Sequence, residues 1–234
     1  MAIILTNDDG IEAPGIRSLH TALTQIVPQS TPEHQILIVA PRLPHSGCGH
    51  QVTTHRPIQV DPRSDGEYAI DGTPADCTRV ALNHLCDRVE WVLSGVNAGG
   101  NLGADIYVSG TVAAVREAAF YRVPGIAISQ YMRKGRQINW EITTQLTVKV
   151  LDKLLHLPIE PGSFWNVNLP FFEAGMPDPE IVFCPLCTQP LPGDYRVEGE
   201  HLVYVGEYGQ RQRDPDSDVA VCFGGRIAVS QVRI

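Results

Sequence analysis

Ile3-Ile4-Leu5-Thr6-Asn7-Asp8-Asp9-Gly10 runs from an apolar segment straight into two adjacent carboxylates and a glycine. The apolar run reads as a buried strand. In a parallel sheet, ligands gather beyond the carboxyl ends of the strands, and Asp8 and Asp9 fall at such an end. Side by side they repel each other unless a positive charge holds them, and hard divalent cations take carboxylate oxygens. Asn, Asp and Gly are also the turn-forming residues, so this stretch alone reads equally as a metal site or a plain turn. The rest of the chain has to decide.

Downstream, Ile16, Leu19, Leu23 and Ile26 keep helical spacing, and Pro28 and Pro32 are expected to end that helix. Gln35 to Ala40 is a second buried strand, so the opening is β-α-β with a right-handed parallel crossover. The loop after it supplies Arg42, His45, Ser46 and His50 to the same face as Asp8 and Asp9. Val52 to Val60 and Tyr68 to Ile70 read as β segments around the turn 63–66. Thr73-Pro74-Ala75-Asp76 is a helix start with a capping box.

Trp91 to Ser94 is a further buried strand, running into Gly95-Val96-Asn97-Ala98-Gly99-Gly100-Asn101-Leu102-Gly103. So many glycines let a backbone come close to a ligand with its N–H groups exposed. Ser109-Gly110-Thr111 then opens a helix whose N-terminus is a seat for phosphate. There is no Gly-Lys-Ser/Thr loop, and the first strand ends in Asp-Asp where a dinucleotide fingerprint needs Gly-x-Gly. Val123 to Ser129 is a strand, Ile138 to Leu155 a long amphipathic helix, and Phe164 to Leu169 a strand ended by Pro170. After 170, short segments at Ile181–Phe183, 201–205 and 226–232 read as antiparallel β, as hairpins reaching out from the main sheet.

Composition narrows the class. The chain has 234 residues, 43% hydrophobic and 19% charged, enough for one sizeable core. A net charge of -8 argues against sequence-independent nucleic-acid binding, which needs Lys and Arg. No run approaches membrane-spanning length, and Met1 abuts the first strand, which leaves no room for a signal peptide. The expected compartment is the cytoplasm, with the six cysteines reduced. Cys184-Pro-Leu-Cys187 has metal-like spacing but lacks a second pair.

Four strand ends thus deliver polar or glycine-rich loops to one face. Asp8, Asp9, Ser46 and Asn97 all offer oxygen, a set suited to Mg²⁺, Mn²⁺ or Ca²⁺ more than to zinc. A hard cation beside an anion seat points to phosphoryl chemistry. The rival class is a non-catalytic nucleotide-binding module on the same fold.

The blocks Leu5 to Gly10, Val39-Ala40-Pro41 with Ser46-Gly47, Gly72 to Cys77, Ser94 to Gly103, Ser109 to Val112 and Asn166 to Pro170 resemble, in order, the motifs of the SurE (survival protein E) family. The resemblance implies a Rossmann-like three-layer α/β core over 1–170, with a mostly parallel sheet. Residues 171–234 would then be a β-rich extension and final strand acting as an oligomerisation arm. It also implies a phosphatase acting on nucleoside 5'- and 3'-monophosphates and on short polyphosphate. One divalent ion, Mg²⁺ or Mn²⁺, would be held by Asp8, Asp9, Ser46 and Asn97. Asp8 and Asp9 would be catalytic, Asn7, Asn101, Ser109, Gly110 and Thr111 would contact phosphate, and His45 would support the set from behind. A homodimer or tetramer is the expected assembly. The chain departs from the family pattern at Arg42, where an acidic residue is usual, and at His45, where Arg is common.

Overall fold

The structure is a computed structural model that describes residues 1–27, 35–173 and 175–234. β1 (Ala2–Thr6) is buried along its whole length. Ala2 and Ile4 face one core and Ile3 and Leu5 the other, the two-residue alternation of a strand covered on both sides. α1 (Pro14–Ile26) follows with a proline in its first turn, where the missing N–H costs nothing. Pro28 and Pro32, the expected terminators, lie outside the described residues. β2 (Gln35–Pro41) runs parallel to β1, as the crossover requires.

β3 (Val60–Ser64) and β4 (Glu67–Ile70) pair antiparallel across a tight turn. Of the expected strand over 52–60, the ladder reaches only Val60. Upstream, Thr53 gives its N–H and its hydroxyl to the Asp76 carboxylate at 2.8 and 2.7 Å. That segment is therefore anchored to the start of α2 (Pro74–Val80) and not to a neighbouring strand. The Thr73–Asp76 capping box forms as expected.

β5 (Val89–Ala98), α3 (Gly110–Phe120), β6 (Gly125–Gln130), α4 (Trp140–Leu154) and β7 (Ser163–Leu169) complete the parallel core. α4 begins two residues later than its periodicity suggests. Asn139 Oδ1 accepts the N–H groups of Glu141 and Ile142 at 3.1 and 3.2 Å and sets the start. α1 and α4 pack on one face of the sheet, α2 and α3 on the other.

After 170 the chain returns to the sheet more than it leaves it. β11 (Ile227–Arg233) lies antiparallel to β7, and β8 (Ile181–Phe183) lies parallel to β11. Ile227, Ala228 and Val229 are fully buried, so this edge is core. The hairpin that stands apart is β9 (Tyr195–Glu198) with β10 (His201–Tyr204). α5 (Asp218–Phe223), capped by Ser217, precedes β11.

Among the described residues the sheet order is β3-β4-β2-β1-β5-β6-β7-β11-β8. The chain builds leftward from β1 through β2 and β4, then starts again on the other side of β1 with β5, β6 and β7. The direction of winding thus reverses between β1 and β5. In open α/β sheets that reversal opens a crevice at the carboxyl ends, where ligands bind. Asp8 and Asp9 follow β1, and Asn97 is near the end of β5.

Candidate active site

Asp8 is 5% exposed. The Thr111 hydroxyl donates to its Oδ1 at 2.5 Å. Burial pushes its pKa up to about 6, and the Asp9 charge adds to the rise, while the Thr111 hydroxyl opposes it. Asp9 is half-buried, and burial raises its pKa too; the Ala98 N–H, 3.2 Å from its Oδ2, works against that. Asp9 thereby bridges the ends of β1 and β5 across the crevice.

The first turn of α3 faces Asp8. Ser109 is the N-cap, its Oγ accepting the Val112 N–H at 3.1 Å. Thr111, the other capping candidate, spends its hydroxyl on Asp8. A Cβ on Gly110 would sit 2.8 Å from Asp8 Cβ, 3.0 Å from Cys48 Sγ and 3.1 Å from Asp8 Oδ2. Glycine is what lets the helix terminus come this close, and it leaves the N–H groups of Gly110 and Thr111 at the carboxylate.

The loop after β2 folds over the same spot. The His45 N–H donates to the Asp8 carbonyl at 2.7 Å, and the Gly49 N–H donates to the Val108 carbonyl at 3.0 Å. Ser46 lies exposed between these anchors. The main chain of His45, and not its ring, makes the contact with Asp8. Arg42 is turned away, 3.8 Å from Asp61 on β3, so this departure sits outside the site. Cys48 stays a thiol, burial and the nearby Asp8 raising its pKa to about 11.

Asn97 spends its Nδ2 on the Gly99 carbonyl at 2.8 Å, which leaves its Oδ1 as the oxygen it can offer. Asn7 likewise donates Nδ2 to the Gly10 carbonyl at 2.8 Å, and its buried Oδ1 has no partner among the described residues. Asn101 serves the loop. Its Nδ2 donates to Ser129 at 2.7 Å, its N–H donates to Asn168 Oδ1 at 2.8 Å, and its carbonyl accepts from Asn166 and Asn168, both at 2.9 Å. This clamp was missed by the sequence reading. Its signal was there: two asparagines two apart in an otherwise apolar strand share one face.

A second missed element is Glu117 on α3, 1% exposed. It takes His50 Nε2 at 2.6 Å and Arg79 Nε at 2.5 Å. Burial pushes its pKa up, but the His50 and Arg79 hydrogen bonds outweigh this and hold it below the usual value. It ties the far end of the Ser46 loop to the helix that carries Gly110. Nothing local in Arg116-Glu117-Ala118 announces this; the partners are far off in sequence.

Asp8 and Asp9 meet the first turn of α3 here, and the loops that carry Ser46 and Asn97 are tied to them through the N–H groups of His45 and Ala98. Uncompensated, Asp8 and Asp9 are driven toward protonation, and an all-oxygen donor set of this kind fits a hard divalent cation. Among the described residues no three or more His, Cys, Asp and Glu side chains are placed to hold a metal ion, so neutral oxygens must complete any such set. The six cysteines are unpaired.

Comparison with known proteins points to one family. The family model "Survival protein SurE" matches residues 3–190. The chain is 55% identical, over the full length of both, to a Nostoc protein named "Putative 5'-nucleotidase alr3139". It is 40% identical over 176 residues to "5'-nucleotidase SurE" of Clostridium botulinum, covering 73% of this chain and 67% of that one. The crystal structure of the SurE protein from Aquifex aeolicus superposes with a TM-score of 0.83 at 26% identity, covering 100% of this chain and 93% of the other. With the matched region reaching from β1 past β8, the chain belongs to the SurE family.

Proposed function

We propose that this chain is a metal-dependent phosphatase that hydrolyses nucleoside 5'- and 3'-monophosphates, with short polyphosphate as a further substrate. The observation that carries the reading is the Asp8–Asp9 pair, set at the end of β1 against the first turn of α3, where Thr111 holds Asp8 and Gly110 lets the helix terminus come close. A pure binding module gains nothing from two carboxylates beside an anion seat; a hydrolase needs them.

Asp8, Asp9, Ser46 and Asn97 would hold one Mg²⁺ or Mn²⁺, which when bound supplies charge neutralisation and a polarised water. Asp9, less buried than Asp8, accepts the proton of the attacking water as general base. The water oxygen bonds to phosphorus as the P–O bond to the ribose oxygen breaks, and the departing alkoxide takes a proton from solvent water, to which Asp9 afterwards returns its own. The Gly110 and Thr111 N–H groups and the α3 dipole stabilise charge on the phosphoryl oxygens. Asn7, just after β1, and Ser109, the cap of α3, would flank the phosphate, and Asn101 keeps the glycine-rich loop in place. Nucleophilic attack by Asp8 is the competing route. Thr111 holds one Asp8 oxygen, which favours the water route, and a phosphorylated Asp8 recovered after acid quench would sink it.

The test is phosphate release from AMP or GMP with Mg²⁺ or Mn²⁺, with and without EDTA. Asp8→Asn and Asp9→Asn should each abolish it. Nucleotide binding without any EDTA-sensitive release would make the chain a binding module.

For assembly, β9 and β10 leave Val197 71%, Leu202 66% and Tyr195 58% exposed. A two-stranded hairpin is marginal by itself, and such apolar exposure marks a contact surface. A second copy of the chain is the partner, giving a homodimer or a tetramer. No helix among the described residues is long and apolar enough to cross a membrane. Six thiols left unpaired suit the cytoplasm.

A further inference from the structure

Beside the Asn97 loop lies a cleft of about 490 Å³ that the chemistry above does not use. One wall is the segment after β6, with Tyr131, Arg133, Lys134 and Arg136; the other is 206–209, with Tyr208. The cleft is tied to the loop that follows β5. Gln130, immediately before Tyr131, pairs in the sheet with Ala98, whose N–H holds Asp9. The Tyr208 hydroxyl lies 3.4 Å from where a Cβ on Gly100 would be.

The aromatic walls are fixed. Tyr208 donates its hydroxyl to Asp105 at 2.5 Å, and Tyr131 stacks on Phe223 with centroids 4.6 Å apart. The two tyrosines are 6.4 Å apart, centroid to centroid. The charge is unusual for this protein. The chain has 18 Lys and Arg against 26 Asp and Glu, yet Arg133, Lys134 and Arg136 crowd into one exposed turn. Arg133 lies over the Phe171 ring and Arg136 is 3.4 Å from Glu173. Glu207, the acidic residue of the cleft, is engaged by Gln210 at 2.5 Å. A monophosphate already has its anion seat at α3, so a second cationic set this near is redundant unless the substrate carries a second anion.

We propose that this cleft binds the remote half of a nucleotide bearing a second phosphate. The base lies against Tyr131 and Tyr208, and the second phosphate sits among Arg133, Lys134 and Arg136. Guanidinium groups match phosphate oxygens in pairs, and aromatic rings accept any base by stacking. A nucleoside 3',5'-bisphosphate is then preferred over the monophosphate. The proposal rests on the phosphatase reading for the position of the scissile phosphate.

The test separates the two. Affinities for adenosine 3',5'-bisphosphate, AMP and tripolyphosphate are measured by calorimetry in EDTA, where turnover plays no part. The bisphosphate should bind at least about tenfold tighter than AMP, the effect of one good charge-assisted contact. The triple variant R133Q/K134Q/R136Q should erase that advantage, while R63Q/R226Q/R233Q, which removes three exposed cations elsewhere, should keep it. Tyr131→Ala should weaken both nucleotides and leave tripolyphosphate alone. Equal affinity for AMP and bisphosphate in the native chain overturns the proposal, as does an equal loss in both triple variants, or tripolyphosphate binding tighter than the bisphosphate. Failure of the phosphatase reading shows elsewhere, as absence of metal-dependent phosphate release.

Discussion

Gly110→Ala isolates geometry from chemistry, because it adds one methyl and removes no functional group. The added Cβ would lie 2.8 Å from Asp8 Cβ and 3.0 Å from Cys48 Sγ. Ordinary carbon contacts need about 3.5 Å or more, so Asp8 or the helix start must give way by several tenths of an ångström. Overpacking of this kind costs about 1–3 kcal/mol. Alanine in a helix returns up to about 1 kcal/mol relative to glycine. The net loss is about 1 kcal/mol, or about 2–4 °C in Tm for a chain of this size. Activity should suffer far more. Asp8 is pinned to Thr111 at 2.5 Å and cannot shift without disturbing the carboxylate pair, and displacement near 1 Å at a reacting group costs about a hundredfold. The expected result is kcat/KM down by about two orders of magnitude with a nearly native melting curve. Adding Cys48→Ala should not restore activity, since the tightest contact is with Asp8 itself. The assay is AMP hydrolysis in Mn²⁺ beside differential scanning calorimetry. Activity within threefold of the native chain would refute the close approach of α3 to Asp8.

Other outcomes follow from the same contacts. Asp8 has its pKa raised by burial to about 6 from an ordinary 3.8, so the folded state disfavours its charge, and it costs the metal-free protein stability as pH rises through that interval. Asp8→Asn in EDTA at pH 7 should therefore stabilise the fold by up to about 3 kcal/mol while losing activity; urea unfolding at pH 4 and pH 7 checks that the gain is confined to the higher pH. Glu117 has the opposite sign: His50 and Arg79 hold its pKa below 4.5 against burial, so its contribution is present above that value and fades as pH falls below it. Glu117→Ala should cost about 2–3 kcal/mol, discounted because Arg79 is 41% exposed, and a lost Tm difference from the native chain near pH 3 would be the matching signature. Replacing 195–204 with a short Gly-Ser linker should leave the monomer folded and lower the assembly state by analytical ultracentrifugation; an unchanged mass would remove the hairpin from the interface.

What the sequence disclosed was whatever local pattern could carry. β1 and β2 carry continuous apolar runs and β5 a shorter one at Trp91–Leu93, and the Thr73–Asp76 and Ser109 caps are spelled within four residues. The convergence of Asp8, Asn97 and the α3 N-terminus followed from strand order alone. Residues 52–59 stay out of the ladder because the decisive hydrogen bonds run to Asp76, over twenty positions away. β11 is antiparallel as its segment suggests, but its partner is β7, and that pairing is hidden because the two strands are remote in sequence. The Glu117 clamp was equally silent, since its partners His50 and Arg79 are far off in sequence, whereas Asn166 and Asn168 showed their shared face but not the loop they hold.

The placement of β11 also has a bearing on how the chain is made. β8 leaves the ribosome well before β11, yet β11 is the strand it pairs with. Asp218, just upstream of β11, accepts the N–H of Cys187 at 2.8 Å and that of Gly103 at 2.7 Å, so the glycine-rich loop is braced by residues synthesised more than a hundred positions later. Contacts of such separation are slow to form. A nascent chain stalled before residue 218 would hold β1 to β7 with an exposed β7 edge and an unbraced Gly103, and so would carry every residue of the Asp8–Asn97 crevice before it could work.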